Sequence, residues 1–371
     1  MQPMRILHLV GRSQRRGAEL VALDLASALD DLGHTNVVRA CAPGFDGSSD
    51  PALPPLTRRA AMDPVALGTA AWGLRGQLRT MQPDVVLAHG GWAVQVATLA
   101  HPRGGPTLVW QRILGFSDGM THGLRGRWWR VVCGRVDAAV ALAPAMEVEL
   151  RALGFTGPVW TIPNFRRSER FVAVDRAIAA DRLRHDLGIA PDVSLLGLVG
   201  HLIEQKRPER ALDVLTRVRD SGTDAHLIVA GNGPLENAFV AETRARHLAP
   251  VVHMLGHRDD VEQVLGALDL LLVTSDAEGI PGVVIEAQMT GCPVVTYPVG
   301  AVDTVVEDGQ TGVVLAKPDT ALMAAAVARL LADPARRRAL GAEGRRRADA
   351  FSTTRAADAY ATHLASLVAA R

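Results

Sequence analysis

Two glutamates, Glu278 and Glu286, are separated by seven residues in the stretch TSDAEGIPGVVIEAQMTGCPVV, residues 274–295. Two readings fit this spacing. In one, Glu278 and Pro281 are ordinary helix-start residues and Glu286 lies on a solvated face. In the other, a strand ends near residue 274 and a helix begins after Pro281, whose first turn forms the floor of a ligand site. A second chemical candidate is GHLIEQK, residues 200–206, which sets Lys206 within a turn of a strand end. Lysine is scarce among basic residues that are mostly arginine. Lys206 therefore reads as a point charge for a diphosphate, against the plainer reading of a surface lysine on the next helix. His89 follows a strand and precedes Gly90 and Gly91, so it is either a satisfied structural histidine or a ligand contact.

Other chemistry lacks its residues. The chain has no Gly-x-Ser-x-Gly elbow, no Walker lysine loop, no His-Glu-x-x-His and no Cys-x-x-Cys. With no Asp-x-Asp, a metal-bridged diphosphate has no obvious ligands. No metal or cofactor is expected, and positive charge at a diphosphate would have to come from lysine, arginine and helix dipoles.

Composition narrows the class. At 371 residues the chain should form two domains. Lys+Arg 40 against Asp+Glu 39 leaves a net charge of +1, which gives no argument for a nucleic-acid partner. Cys41, Cys133 and Cys292 lie far apart without metal-ligand spacing, which fits a reduced cytoplasmic setting. No apolar run is long enough for a membrane span, and residues 1–11 read as a strand rather than a signal peptide.

The elements that must position these residues alternate between apolar and amphipathic runs, the mark of an α/β protein with parallel sheets covered by helices. Strands are expected at residues 5–10, 37–42, 84–89, 107–111, 137–142 and 159–162. After a charged segment they resume at 195–199, 225–230, 251–255, 270–274, 293–297 and 312–315. The expected division is a Rossmann-like domain over 1–165, a linker over 166–191, a second Rossmann-like domain over 192–353 and a terminal helix over 354–371 that belongs to either domain. In open parallel sheets ligands bind beyond the carboxyl ends of the strands, where strand order reverses. Residues 11–17, 89–91, 200–206, 231–233, 275–282 and 300 are the candidates, and two such domains would face one ligand across a cleft. The helix at 123–134, GLRGRWWRVVCG, offers Trp128 and Trp129 with three arginines. It either packs in the first domain or touches a membrane surface, and the packed reading is preferred.

Glu278 through Glu286 with Gly-Ile-Pro between them, GCPVV, Gly300-Ala301 and VVEDGQTGVVL together resemble the C-terminal domain of retaining glycosyltransferases of the GT-B fold. This is the family-four, or glycosyl transferases group 1, type, which includes bacterial mannosyl- and N-acetylglucosaminyltransferases. RRGAEL at residues 15–20, AHGG at 88–91 and GNGP at 231–234 extend the likeness over nearly the whole chain. The resemblance implies transfer of a sugar from a nucleotide-sugar donor, UDP-linked by preference, to a natural-product, lipid or glycan acceptor. Same-face displacement without a metal would retain the anomeric configuration.

Carried over by position, Glu286 resembles the residue that holds the ribose hydroxyls, Glu278 the one near the transferred sugar, and Lys206 the one that neutralises the diphosphate. Backbone amides of Gly282, Val283 and Val284 would lie near phosphates or sugar, and His89 resembles the histidine near the reactive carbon. Gly17, His201 and Gly231 fall in donor-side segments, and Arg16, Glu19 and Arg112 are acceptor-side candidates. Two departures stand out. His201 occupies a position where the family commonly has arginine, so either Arg112, Arg16 or Arg15 supplies the missing charge or catalysis is slower or pH-sensitive. Arg16 stands where the family often has the first of two glycines. Two other functions share the pattern, a nucleotide-sugar 2-epimerase and a non-catalytic nucleotide-sugar binder.

Overall fold

The computed structural model describes all residues except 1, 16, 46, 62, 103, 114–121 and 371. The chain divides into two compact units, one made of residues 1–165 with 353–371 and the other of residues 166–352.

The first unit runs β1 (Arg5–Ser13), α1 (Gly17–Asp31), β2 (Thr35–Pro43), α2 (Pro64–Met81), β3 (Val85–His89), α3 (Gly91–Ala100), β4 (Thr107–Gln111), α4 (Gly123–Cys133), β5 (Ala138–Ala141), α5 (Pro144–Ala152) and β6 (Val159–Thr161). Its strands form a parallel six-stranded sheet in the order β2-β1-β3-β4-β5-β6. Strands such as VVLAH and TLVWQ are buried along their whole length, as expected when helices cover both faces of a parallel sheet. Strand β1 extends three residues past its expected end. Arg12 pairs in register with Ala42, and its guanidinium donates to the carbonyls of Pro43 and Ala60, which satisfies a buried charge the apolar pattern does not anticipate.

The second unit runs α6 (Glu169–Val172), α7 (Arg176–Leu187), β7 (Ser194–Val199), a 3-10 turn (Glu204–Lys206), α8 (Glu209–Asp220), β8 (Ala225–Ala230), α9 (Glu236–Ala245), β9 (Val252–Gly256), α10 (Val261–Ala267), β10 (Leu270–Val273), α11 (Gly282–Thr290), β11 (Val294–Thr296), β12 (Gly312–Val314), α12 (Thr320–Leu331) and α13 (Pro334–Ala348). Its sheet is also parallel, in the order β12-β11-β10-β7-β8-β9. The final helix, α14 (Thr353–Ala369), belongs to the first unit. It buries Ala356, Ala357, Tyr360, Ala361 and Leu364 among β1, α1, β3 and β5 residues.

Residues 166–191, expected as a linker, instead carry α6 and α7 and fall within the second unit. Helix α7 begins with Asp175 as an N-cap accepting from the Ala177 and Ile178 amides and ends at Gly188 with φ +66°. Small residues do its packing: Ala179 sits with Val174 and Ala267 against α10, where Gly266 leaves room for Val174. A helix that buries alanines while exposing Ile178 has no apolar stripe to read from its sequence.

Both sheets reverse strand order beside their first strand, at β1/β3 in one and β7/β10 in the other. These are the crevices where a doubly wound sheet binds ligands.

Candidate functional site

At the β7/β10 reversal, the loop after β7 and the loop after β10 are tied together. Thr274 Oγ1 donates to the Lys206 carbonyl at 2.9 Å, the Asp276 amide donates to the Gln205 carbonyl at 2.9 Å, and Gln205 Nε2 donates to the Ala277 carbonyl at 2.6 Å. Within this frame the Lys206 ammonium pairs with the Glu278 carboxylate, which also accepts from Ser275 Oγ at 2.7 Å. Two residues 72 apart in sequence thus form one ion pair, with side chains 27% and 10% exposed. A small pocket of about 20 Å³ beside it is lined by Gly200, His201, Lys206, Thr274, Ser275 and Val283.

Glycines make this closeness possible. Gly231 has φ +136°, and a Cβ there would overlap the Gly200 carbonyl; Gly300 has φ +58° and lies against the carbonyls of Glu278 and Gly279. Gly231, expected on the donor side, brings the loop after β8 onto the loop after β7.

Helix α11 starts behind Glu278. Pro281 precedes it in an extended conformation, and Gly291 at φ +77° ends it. Of the three amides expected at its floor, that of Val284 donates to the Pro281 carbonyl at 3.1 Å, whereas those of Gly282 and Val283 belong to the first turn, where no intrahelical acceptor exists. One turn deeper, Glu286 Oε1 accepts from Arg166 Nε at 2.6 Å. The Arg166 guanidinium lies across Gly282, where a Cβ would overlap it. Lys206, His201, Glu278, Gly282, Val283 and Glu286 are thus gathered around one loop cluster and one helix start of the second unit.

In the first unit, a pocket of about 620 Å³ opens beside the β1/β3 reversal. Its polar wall includes Glu19, His89 and Arg112, and its apolar wall is Trp92, Trp110, Trp128 and Trp129. Trp110 and Trp129 stack with centroids 5.4 Å apart, and the Trp128 indole donates to Gln95 at 2.7 Å. Both tryptophans of α4 turn inward, while Leu124 and Val131 lie exposed. The Trp92 indole N–H has no acceptor among the described residues.

His89 is 2% exposed and stacks on His8 with centroids 5.3 Å apart. A chain of hydrogen bonds occupies both rings. Asn36 donates to Asp30 at 2.9 Å, the Asn36 carbonyl oxygen accepts from His8 Nε2 at 2.9 Å, His8 Nδ1 meets His89 Nε2 at 3.1 Å, and the Gln111 side chain meets His89 Nδ1. Burial pushes His8 down to about 4 and His89 to about 3, so both rings are neutral at pH 7. Both ring nitrogens of His89 thus have partners within the first unit, and its expected hydrogen bond to a sugar hydroxyl would need one of them to give way.

The expected cationic substitutes for the residue at 201 also resolve differently. Arg112 is 1% exposed, donates to the Met146 carbonyl at 2.9 Å and pairs with Glu149 in the first unit. Arg15 pairs with Asp50 at 2.7 Å on the surface, and Arg16 lies outside the described residues. Gly17 opens α1, beside Ala18 and Glu19 of the pocket wall.

Sequence reasoning missed Arg166, His8 and Gln111, and reached Ser275 only as part of the loop 275–282. Signals existed for two: a histidine inside the apolar strand RILHLV, and a glycine rather than a better helix former at the start of α11.

Residues 180–347 match the family model described as glycosyl transferases group 1, and residues 15–170 match that of glycosyltransferase family 4. A D-inositol 3-phosphate glycosyltransferase of Actinosynnema mirum is 31% identical over 280 residues, covering 68% of this chain and 65% of that protein. The chain thus matches just under two thirds of that relative's length. A glycogen synthase of Mycobacterium tuberculosis is 29% identical over 354 residues, covering 84% of this chain and 81% of the enzyme. Among solved structures, Anabaena HepE in complex with UDP-glucose superposes with a TM-score of 0.80 at 20% identity, over 98% of this chain and all of that one. These likenesses, with two parallel six-stranded sheets, give the α/β GT-B fold class.

Proposed function

This chain belongs to the group 1, family-four glycosyltransferases, and on that premise we propose that it moves a sugar from a nucleoside-diphosphate sugar to a hydroxyl acceptor with retention of configuration. The observation that carries this reading is the Lys206–Glu278 pair held at the β7/β10 reversal, next to the start of α11 and Glu286. A lysine ammonium and first-turn amides suit a diphosphate, and a carboxylate one turn deeper suits ribose hydroxyls. A UDP-sugar is the preferred donor, in keeping with the UDP-glucose bound to HepE.

In the proposed step, the bond from the anomeric carbon to the diphosphate oxygen breaks while the acceptor oxygen bonds to the same face. The acceptor proton passes to the departing diphosphate. Glu278 is neutralised by Lys206 and hydrogen-bonded by Ser275, which suits it to orienting sugar hydroxyls better than to attacking carbon. The protein contributes position and charge. Lys206 and the helix start supply that charge without a metal, so transfer should continue in excess EDTA.

The first unit's pocket is the proposed acceptor side. Its indole faces suit a compact hydroxylated ring compound. The inward turn of Trp128 and Trp129 favours this use over a membrane anchor.

A thermal-shift panel of UDP-, GDP-, ADP- and dTDP-sugars tests donor choice, with a UDP-sugar expected to raise the melting temperature most. Incubating that donor alone and then with cyclitol and aglycone acceptors tests the reaction. A new glycoside with the donor's anomeric configuration is the expected product. An epimerised donor formed without acceptor would replace this reading with an isomerase, and no donor consumption would leave only a binding protein.

A further inference from the structure

The position of Arg166 is unusual for a structural ion pair. A guanidinium lies at the start of α11, the positive end of a nine-residue helix, where a carboxylate would ordinarily be favoured. Three features hold it there. Its backbone amide donates to the Phe351 carbonyl at 2.9 Å, Nε donates to Glu286, and residue 282 is a glycine whose missing Cβ is the space the guanidinium fills. Both charged side chains are largely covered, at 12% and 17% exposure. Nε is spent on Glu286, and a terminal amino group lies over Gly282. Guanidinium, first-turn amides and helix dipole therefore converge on one spot, an arrangement that favours an anion.

We propose that Arg166 is a donor-binding residue that contacts the donor's diphosphate and supplies the guanidinium that position 201 lacks. Gly282 is its partner in the sequence, because any side chain at 282 would expel it. Glu286 takes part twice: Oε1 orients the guanidinium, and the carboxylate also serves the ribose. The inference rests on the reading of this unit as the donor site.

The test compares UDP with uridine, which keeps base and ribose but has no phosphate, by calorimetric titration of wild type, Arg166→Gln, Arg166→Lys and Gly282→Ala, each checked for folding by circular dichroism. Arg166→Gln should lose about 10- to 100-fold in UDP affinity, the range of one charge-assisted contact, with uridine affinity within about 3-fold of wild type. Gly282→Ala should reproduce that selective loss with the arginine still present in the chain. Arg166→Lys should recover part of the UDP affinity, because charge returns without the planar fork. An unchanged UDP-to-uridine ratio in Arg166→Gln, with wild type binding UDP, would overturn the role of Arg166 and leave the donor site standing. Failure of wild type to bind UDP would overturn both.

Discussion

The two sheet reversals share a topology and differ in chemistry. At β1/β3 the chain places His8 and His89, both neutral and buried, with a hydrogen-bond chain through Asn36 and Gln111 and a wall of indoles beside them. At β7/β10 it places Lys206 against Glu278 and Arg166 against Glu286, partly open to solvent. The fold supplies the crevice in each case, and the side chains at the strand ends decide what it can hold. Charged loops with a helix start suit a phosphorylated ligand, whereas a pocket walled by four indoles, with Glu19, Arg112 and Arg125 among its polar residues, suits a ring compound with polar substituents.

Removing the charge from the second reversal should have the largest effect. Lys206→Ala should lower turnover about 100- to 1000-fold, the scale of losing one group that stabilises developing charge, measured at saturating acceptor. Its melting temperature should fall as well, because Glu278, only 10% exposed, loses its counter-charge and keeps the Ser275 hydroxyl, so the rate is compared at a temperature where circular dichroism shows the variant folded. A wild-type rate would end the assignment of this reversal to the diphosphate. Gly231→Ala should come next, destabilising the second unit by about 2–3 kcal/mol, since φ +136° and the Gly200 carbonyl both resist a methyl group. Urea unfolding would register it. Glu286→Ala should weaken uridine by about 10-fold and UDP by more, because it removes the ribose contact and also the group that orients Arg166, whereas Arg166→Gln should spare uridine.

The first reversal should respond to acid. His8 and His89 titrate lower in the folded protein, at about 4 and about 3, than in an unfolded chain near 6.5. Below pH 6.5 the unfolded state therefore binds protons that the folded state refuses. Their contribution to stability is intact above that pH and is lost as pH falls toward 4, by up to about 1.4 kcal/mol per pH unit for each ring. Replacing His89 with glutamine should flatten a plot of urea midpoint against pH. An unflattened plot would mean that the pair is already protonated when folded.

Much of the fold was legible because it is written in the backbone's demand for apolar strands. All twelve expected strands appear, since runs such as LLLV, VVLAH and LLGLV suit little else. Helix α7 escaped because alanine burial leaves no periodic signal, and α6 because four residues are too short to show a period. Lys206 and Glu278 could be named from sequence as strand-end residues, but their pairing depends on two loops 72 residues apart being tied by backbone hydrogen bonds. His89 could be named from sequence as a strand-end residue, but its hydrogen-bond partner His8 lies 81 residues away on another strand, which no local pattern announces. Arg166 was hidden among the charges of residues 166–191, where nothing local distinguishes it from its neighbour Arg167.

The placement of α14 in the first unit has a consequence for synthesis. Residues 1–165 leave the ribosome early, yet the wall formed by Ala357, Tyr360 and Leu364 emerges only after the whole second unit has been translated. At 5–20 residues per second that interval is roughly 10–40 s. During it, the apolar side chains of β1, β3 and β5 that α14 covers stay open to solvent and to chaperones. The nascent chain should therefore acquire protease resistance in its second unit first, although that unit is made later.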